Sequence, residues 1–315
     1  SLGDHLPPSG RLDAKVYERI GASYGFLQAR EPFLQDTVPV RYAAVMQRAD
    51  SPYWNRAAMG AERLLDDLHV QTDVLDVSTL ERLDDYQVLF LPDRRDNPKG
   101  NTERKDAFIF PNPPLTGPQV RRIADWVAAG GRLIATGNAV VSETEGDLAE
   151  KLLGVRVGKV METSGYLYGT GAAVPAEYDG YPLQVRSPFH RAEPTSAKPM
   201  LGWCRPLVFS RTDCSAGTKR LAGERAPTDA VFVNRFGRGT VLYFAFPLCL
   251  DYAQTRGPWL SEIFRHLTVD LLRDRPVAIE GVPSLHANLR KGKDGAMYLD
   301  LIYAHAEPSV MLFRE

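Results

Sequence analysis

Glu143, Glu145 and Asp147 crowd into six residues, SETEGD (142–147). Paired carboxylates supply the two reacting groups of glycoside hydrolysis, one as acid and base, the other as nucleophile or base. The same stretch also reads as the start of a helix. Ser142 and Glu145 stand at capping-box spacing, and acidic side chains in a first turn meet the positive end of the helix dipole. The capping reading explains the cluster without a ligand, and Glu143 remains a loop candidate beside it.

Two other stretches hold comparable chemistry. QRADSPYWN (47–55) offers Arg48, Asp50, Tyr53 and Trp54 but no glycine-rich phosphate fingerprint, and the GAER at 60–63 belongs inside a helix, which argues against a dinucleotide site. GGRLIATGNAV (130–140) is a buried strand ending in a sharp turn, the frame in which glutamine-amidotransferase-like domains hold a nucleophilic cysteine. Asn138 occupies that place. An amide cannot form the acyl intermediate, so amidotransferase and cysteine-hydrolase chemistry is not expected.

The cysteines do not replace it. Cys204 and Cys214 with His190 match no zinc spacing and lack a fourth ligand, so neither metal nor cofactor is expected. His305 and Glu307 form an H-x-E pair without a supporting helix and read as surface residues. The GRG at 237–239 lies between two strands and reads as a turn. In DRRDNPKGNTERKDAFIFPNPP (93–114), five basic residues are offset by Asp93, Asp96, Glu103 and Asp106. Phe108, Ile109 and Phe110 form an apolar cluster there, and a covered subunit contact suits it better than a phosphate grip.

These stretches need elements to position them. Strands are expected at 39–46, 72–77, 86–93 and 132–137, with helices at 53–69 and 116–131 and a short one near Leu80. Strands apolar on both faces that alternate with amphipathic helices require a parallel sheet covered on each side, a doubly wound α/β domain. Its ligands belong outside the carboxyl ends of the strands, in the loops after 46, 93 and 137.

Flanking it, Leu12, Val16, Ile20, Tyr24 and Leu27 recur at helical spacing. Asp13 is placed as N-cap, Leu12 and Tyr17 as a staple, and Pro32 as the stop. Beyond a capped helix at 143–153 and a strand at 154–160, residues 161–230 are rich in Gly, Pro and Tyr. AVFVNRFGRGTVLYFAFP (230–247) reads as two strands around a glycine turn. A helix follows at 259–272, then a small antiparallel β unit with a hairpin at KDG and a strand at 309–315.

Thirty-eight basic and 39 acidic side chains leave a net charge of −1, which gives no reason to expect nucleic acid or an anionic membrane as partner. No apolar run reaches the roughly 18 residues of a membrane span. Three cysteines, Cys204, Cys214 and Cys249, in a chain of 315 residues suit a reducing, cytoplasmic compartment.

The order YQVLFLPD, then LTGPQVRRIADWVAAGGRLIATGNAVVSETEG, then LAEKLLGV, and much later FGRGTVLYFAFP and PVAIEGVPSLHANLR, resembles the trimerisation domain of family 42 β-galactosidases and related glycoside hydrolases. That resemblance covers roughly 36–275. It implies a remnant of a (β/α)8 barrel end at 1–35, an amidotransferase-like assembly domain of flavodoxin-like type at 36–275, and a small β-domain at 276–315. It also implies a homo-oligomer, dimer or trimer, and a carbohydrate substrate handled by two carboxylates upstream of residue 1. A barrel segment or second chain would then pack on the 12–27 helix. Asp4 and His5 match the mouth of that barrel and are the substrate-proximal candidates. The ending LDLIYAHAE departs from the His-Leu-x-Asn-Tyr of that family.

The leading reading is therefore the non-catalytic assembly portion of a glycoside hydrolase. The alternatives are a free-standing amidotransferase-like domain that binds a small sugar or metabolite at the three loops, and a scaffold without a ligand.

Overall fold

The computed structural model describes residues 10–11, 13–47, 56–94, 114–142, 144–161, 165–206, 222–280 and 285–303, without the side chains of 56 and 224–227. In chain order the first elements are α1 (Ala14–Gln28), α2 (Glu31–Leu34), β1 (Thr37–Pro39), β2 (Ala43–Gln47), α3 (Arg56–Asp66) and β3 (Thr72–Asp76). A 3-10 helix, Val77–Asp85, leads to β4 (Val88–Leu91), α4 (Gly117–Ala128), β5 (Arg132–Thr136) and α5 (Gly146–Leu153). Then come β6 (Val155–Val160), β7 (Gly165–Tyr168), β8 (Leu183–Val185), β9 (His190–Pro194), β10 (Lys198–Pro206), β11 (Ala222–Phe236) and β12 (Gly239–Phe244). Helices α6 (Leu248–Thr255) and α7 (Pro258–Thr268) precede β13 (Leu285–Gly292) and β14 (Met297–Tyr303).

These elements fall into two units, one formed by Ser1–Val40 with Asn288–Asp300 and the other by Arg41–Ala287 with Leu301–Glu315. The grouping follows strand pairing. Thr37, Val38 and Pro39 lie opposite Gly292, Lys291 and Arg290 in an antiparallel ladder. Arg290 fastens it by donating to the Thr37 hydroxyl at 2.7 Å and to its carbonyl at 2.9 Å. The expected strand 39–46 is thus two strands in two sheets, separated by residues 40–42, because β1 is claimed by β13 while β2 enters the large sheet.

In this smaller unit Asp13 caps α1 as expected, accepting from the backbone of Lys15 and Val16. The helix stops at Gln28, earlier than expected, and Pro32 begins the next short helix, a first-turn place where its missing N–H costs nothing. No residue of α1 is buried, and Val16, Tyr24 and Leu27 are 51%, 54% and 53% exposed.

The larger unit is built on a nine-stranded sheet of order β3-β2-β4-β5-β12-β11-β10-β7-β8. The pairings from β3 through β12 are parallel and those from β12 through β8 are antiparallel, so the sheet is mixed α/β rather than parallel throughout. The turn Gly237–Arg238 reverses the chain, with Gly237 at a φ of 58° that favours glycine. The expected strand at 154–160 forms, but it pairs with β9 in a separate two-stranded sheet.

Alternation along the parallel strands feeds two cores. Val45, Phe90, Ile134 and Phe244 join α3, α6 and α7 on one face, where Phe90 stacks on Phe264 at 5.6 Å. Met46, Leu89, Leu133 and Tyr243 join α4 and α5 on the other. Thr116 and Gln119 form a true capping box on α4. The one expected at Ser142 and Glu145 does not form. Helix α5 starts at Gly146 with Glu145 as N-cap and no side-chain cap, because Glu145 pairs with Arg121 and the Ser142 hydroxyl donates to Leu115 O.

Candidate functional site

The parallel strands deliver their carboxyl ends to one edge of the large sheet, at Gln47, Leu91 and Thr136. At the end of β5, Gly137 adopts a φ of 53° and turns the chain so that Asn138 follows directly. Asn138 is buried, and its side-chain oxygen accepts from the Arg94 backbone N–H at 2.8 Å. The position that would hold a nucleophile in an amidotransferase-like frame instead ties two strand ends together.

Beneath it lies a second knot. The Thr136 hydroxyl donates to Asp93 Oδ1 at 2.9 Å and stands 3.7 Å from Cys249 Sγ. Asp93 also accepts backbone N–H bonds from Cys249 and Leu250, in the first turn of α6, where a carboxylate offsets the positive end of the helix dipole. Burial nevertheless pushes the Asp93 carboxyl up to about 6, the hydrogen bonds opposing it only in part. Burial first, and the Asp93 charge second, push the Cys249 thiol well above its ordinary range. Tyr243 closes the group by donating to Gly137 O at 2.7 Å.

A thiol held protonated and fully buried is a poor nucleophile, and a carboxyl 4% exposed does not meet a substrate directly. This arrangement binds β4, β5 and α6 to one another. In the sequence Asp93 reads as one charge of a loop and Cys249 as one of three cysteines. The only local signal was a lone Asp two residues after the apolar run of β4.

The other sequence candidates are placed as follows. Asp4, His5, Arg48, Asp50, Tyr53, Trp54, Phe108, Ile109, Phe110 and Glu143 lie outside the described residues, as do Cys214, His305, Glu307 and the strand expected at 309–315. Cys204 and His190 are buried. Among the described residues no group of three or more His, Cys, Asp or Glu side chains is arranged to hold a metal ion, and no helix is long and apolar enough to cross a membrane.

No family model and no curated protein matches the sequence. Solved structures share the fold. The α-L-fucosidase isoenzyme 2 from Paenibacillus thiaminolyticus superposes with a TM-score of 0.73 at 18% identity, over 96% of this chain and 44% of that one. The cold-adapted β-galactosidase from Rahnella sp. R3 gives 0.62 at 15% identity, over 94% and 40%. The β-galactosidase from Bacillus circulans sp. alkalophilus gives 0.59 at 15%, over 95% and 40%. The chain spans less than half the length of each of these glycoside hydrolases, and the likeness is one of fold.

Proposed function

We propose that this chain is the non-catalytic assembly portion of a glycoside hydrolase whose two catalytic carboxylates lie on a (β/α)8 barrel encoded before Ser1. The observation that carries the reading is α1, a capped fifteen-residue helix with no buried residue and with Val16, Tyr24, Phe26 and Leu27 exposed. A helix with such a stripe gains most of its stability from packing, and the last helix of a barrel has a sheet to pack on. The glycosidase fold shared with a fucosidase and two β-galactosidases over less than half of their lengths supports it.

In this reading Asp4 and His5 stand at the barrel mouth, and the larger unit is amidotransferase-like, with Asn138 where a nucleophile would be. Phe108, Ile109 and Phe110 serve a contact between copies in a dimer or trimer. The substrate is a galactoside or a fucoside, cleaved with retention through a glycosyl-enzyme intermediate on the barrel. The buried cysteines Cys204 and Cys249 suit a reducing cytoplasm.

The test is the gene segment upstream of Ser1. It is expected to encode eight βα repeats. Joined to this chain, it should hydrolyse 4-nitrophenyl β-galactoside or α-L-fucoside, lose that activity when either of two barrel carboxylates is replaced, and sediment as a dimer or trimer. An upstream segment without the repeat, or an assembled protein inactive on both substrates, would overturn the reading.

A further inference from the structure

We infer that the larger unit carries, at the amino ends of its strands, a site for a small organic phosphate or sulfate ester. The site is a cavity of about 550 Å³, a size suited to a small-molecule ligand, between the start of β5, the strands β10 to β12 and the end of α7. Strand pairing assembles it. Lys198 lies opposite Val233, and Arg235, two residues on and therefore on the same face, lies opposite Thr240. Arg238 joins them from the Gly237 turn, and Met200 and Val233 supply an apolar wall packed on the α7-side core.

The charge at this cavity is unbalanced. Arg132, Lys198, Arg235, Arg238 and Arg273 line it against a single carboxylate, Asp270, in a chain whose net charge is −1. Two of the five are committed to the fold. Arg132 donates to Leu271 O at 2.6 Å and pairs with Asp274, which Arg273 also approaches at 3.6 Å. His266, a sixth basic side chain, is joined through Nε2 to Ala172 O.

The remaining three differ. Arg235 donates one nitrogen to the Thr240 hydroxyl and Arg238 one to Ala129 O, and among the described residues no carboxylate comes within ion-pair distance of Lys198, Arg235 or Arg238. Two forked guanidiniums with donors to spare and one ammonium make a set suited to a tetrahedral oxyanion. The carbonyl end of α7 and Asp270 oppose an anion on the helix side, which directs its charge toward the strand side, where the three cations lie. The Met200 and Val233 wall then receives the organic part of the ester.

Titration of this chain at low ionic strength with inorganic phosphate, inorganic sulfate, glucose 6-phosphate and glucose 6-sulfate tests the assignment and tells the two oxyanions apart. Glucose and ionic-strength-matched sodium chloride serve as controls. Glucose 6-phosphate or glucose 6-sulfate is expected to bind at least tenfold more tightly than its inorganic oxyanion, with no response to either control. Lys198→Ala with Arg235→Ala should weaken binding at least tenfold while leaving the melting temperature without ligand within a few degrees. Lys198→Glu, a single change of an exposed side chain, reads the same effect should the double variant fold poorly. An equal response to sodium chloride, unchanged binding by the Lys198→Glu variant, or binding of heparin or duplex DNA with no binding of the small esters would overturn it.

Discussion

The two ends of the large sheet handle polar groups in opposite ways. At the carboxyl ends, Asp93, Thr136, Asn138 and Tyr243 find partners in one another or in nearby backbone and are closed off from water. At the amino ends, Lys198, Arg235 and Arg238 face an open cavity. Doubly wound sheets usually place ligands at the first edge, because strand ends and helix N-termini converge there. Here the described part of that edge is used to hold the fold together, and unsatisfied charge has moved to the other edge. Topology says where a site is easy to build, while the balance of partners says where one remains open.

The sharpest way to break this contrast is to disrupt the sealed end. Gly60 of α3 sits so close to α6 that a Cβ would overlap the Cys249 carbonyl. Gly60→Ala should therefore force the helices apart and cost about 3 kcal/mol, read as a fall in the denaturant midpoint. Unchanged stability would mean that α3 and α6 do not meet there.

Asp93→Asn comes next. It keeps the shape but gives the hydrogen bonds from Thr136 and the α6 backbone a poorer partner, at an expected cost of about 2 kcal/mol near pH 4 that shrinks at neutral pH, where the amide escapes the burial penalty of the charge. Its pH dependence gives a separate reading. Because the folded carboxyl is raised to about 6 from an ordinary 3.8, its contribution is fully present below about 4 and is lost as pH rises through about 6. Asp251, also raised to about 6 by burial, adds a slope of the same sign. Stability curves over pH 3 to 8 should show a flatter decline between 4 and 6 in the Asp93→Asn variant. An unaltered slope would place Asp93 in water.

Tyr243→Phe removes only the bond to Gly137 O and should cost about 1 kcal/mol by chemical denaturation. Smallest of all, Arg121→Ala breaks a half-exposed pair with Glu145 and should shift stability by less than about 1 kcal/mol, lessened further by salt. A larger loss there would show that the Glu145 start of α5 depends on the pair.

How much of this was legible in the sequence follows from the range of the forces involved. Val88–Leu91 is apolar on both faces, and that local pattern is enough to announce a covered parallel strand. FGRG announced its hairpin equally well, since a left-handed glycine is a local requirement. The antiparallel half of the sheet was not legible because 161–230 holds no clean period, and β10 meets β11 through several register shifts. The same reason hides both polar groupings. Asp93, Thr136 and Cys249 are far apart in the chain, as are Lys198 and Arg235, and only strand order brings each set together. The Ser142–Glu145 spacing misled because Arg121, from another helix, offers Glu145 a better partner than its own backbone.

The central claim, that this chain supports an activity whose reacting groups lie elsewhere, is tested most directly by assaying it alone on 4-nitrophenyl β-galactoside and 4-nitrophenyl α-L-fucoside. The account predicts no release of nitrophenol above the uncatalysed rate on either substrate. Saturable turnover by the chain alone, abolished by replacing one of its own carboxylates, would contradict it.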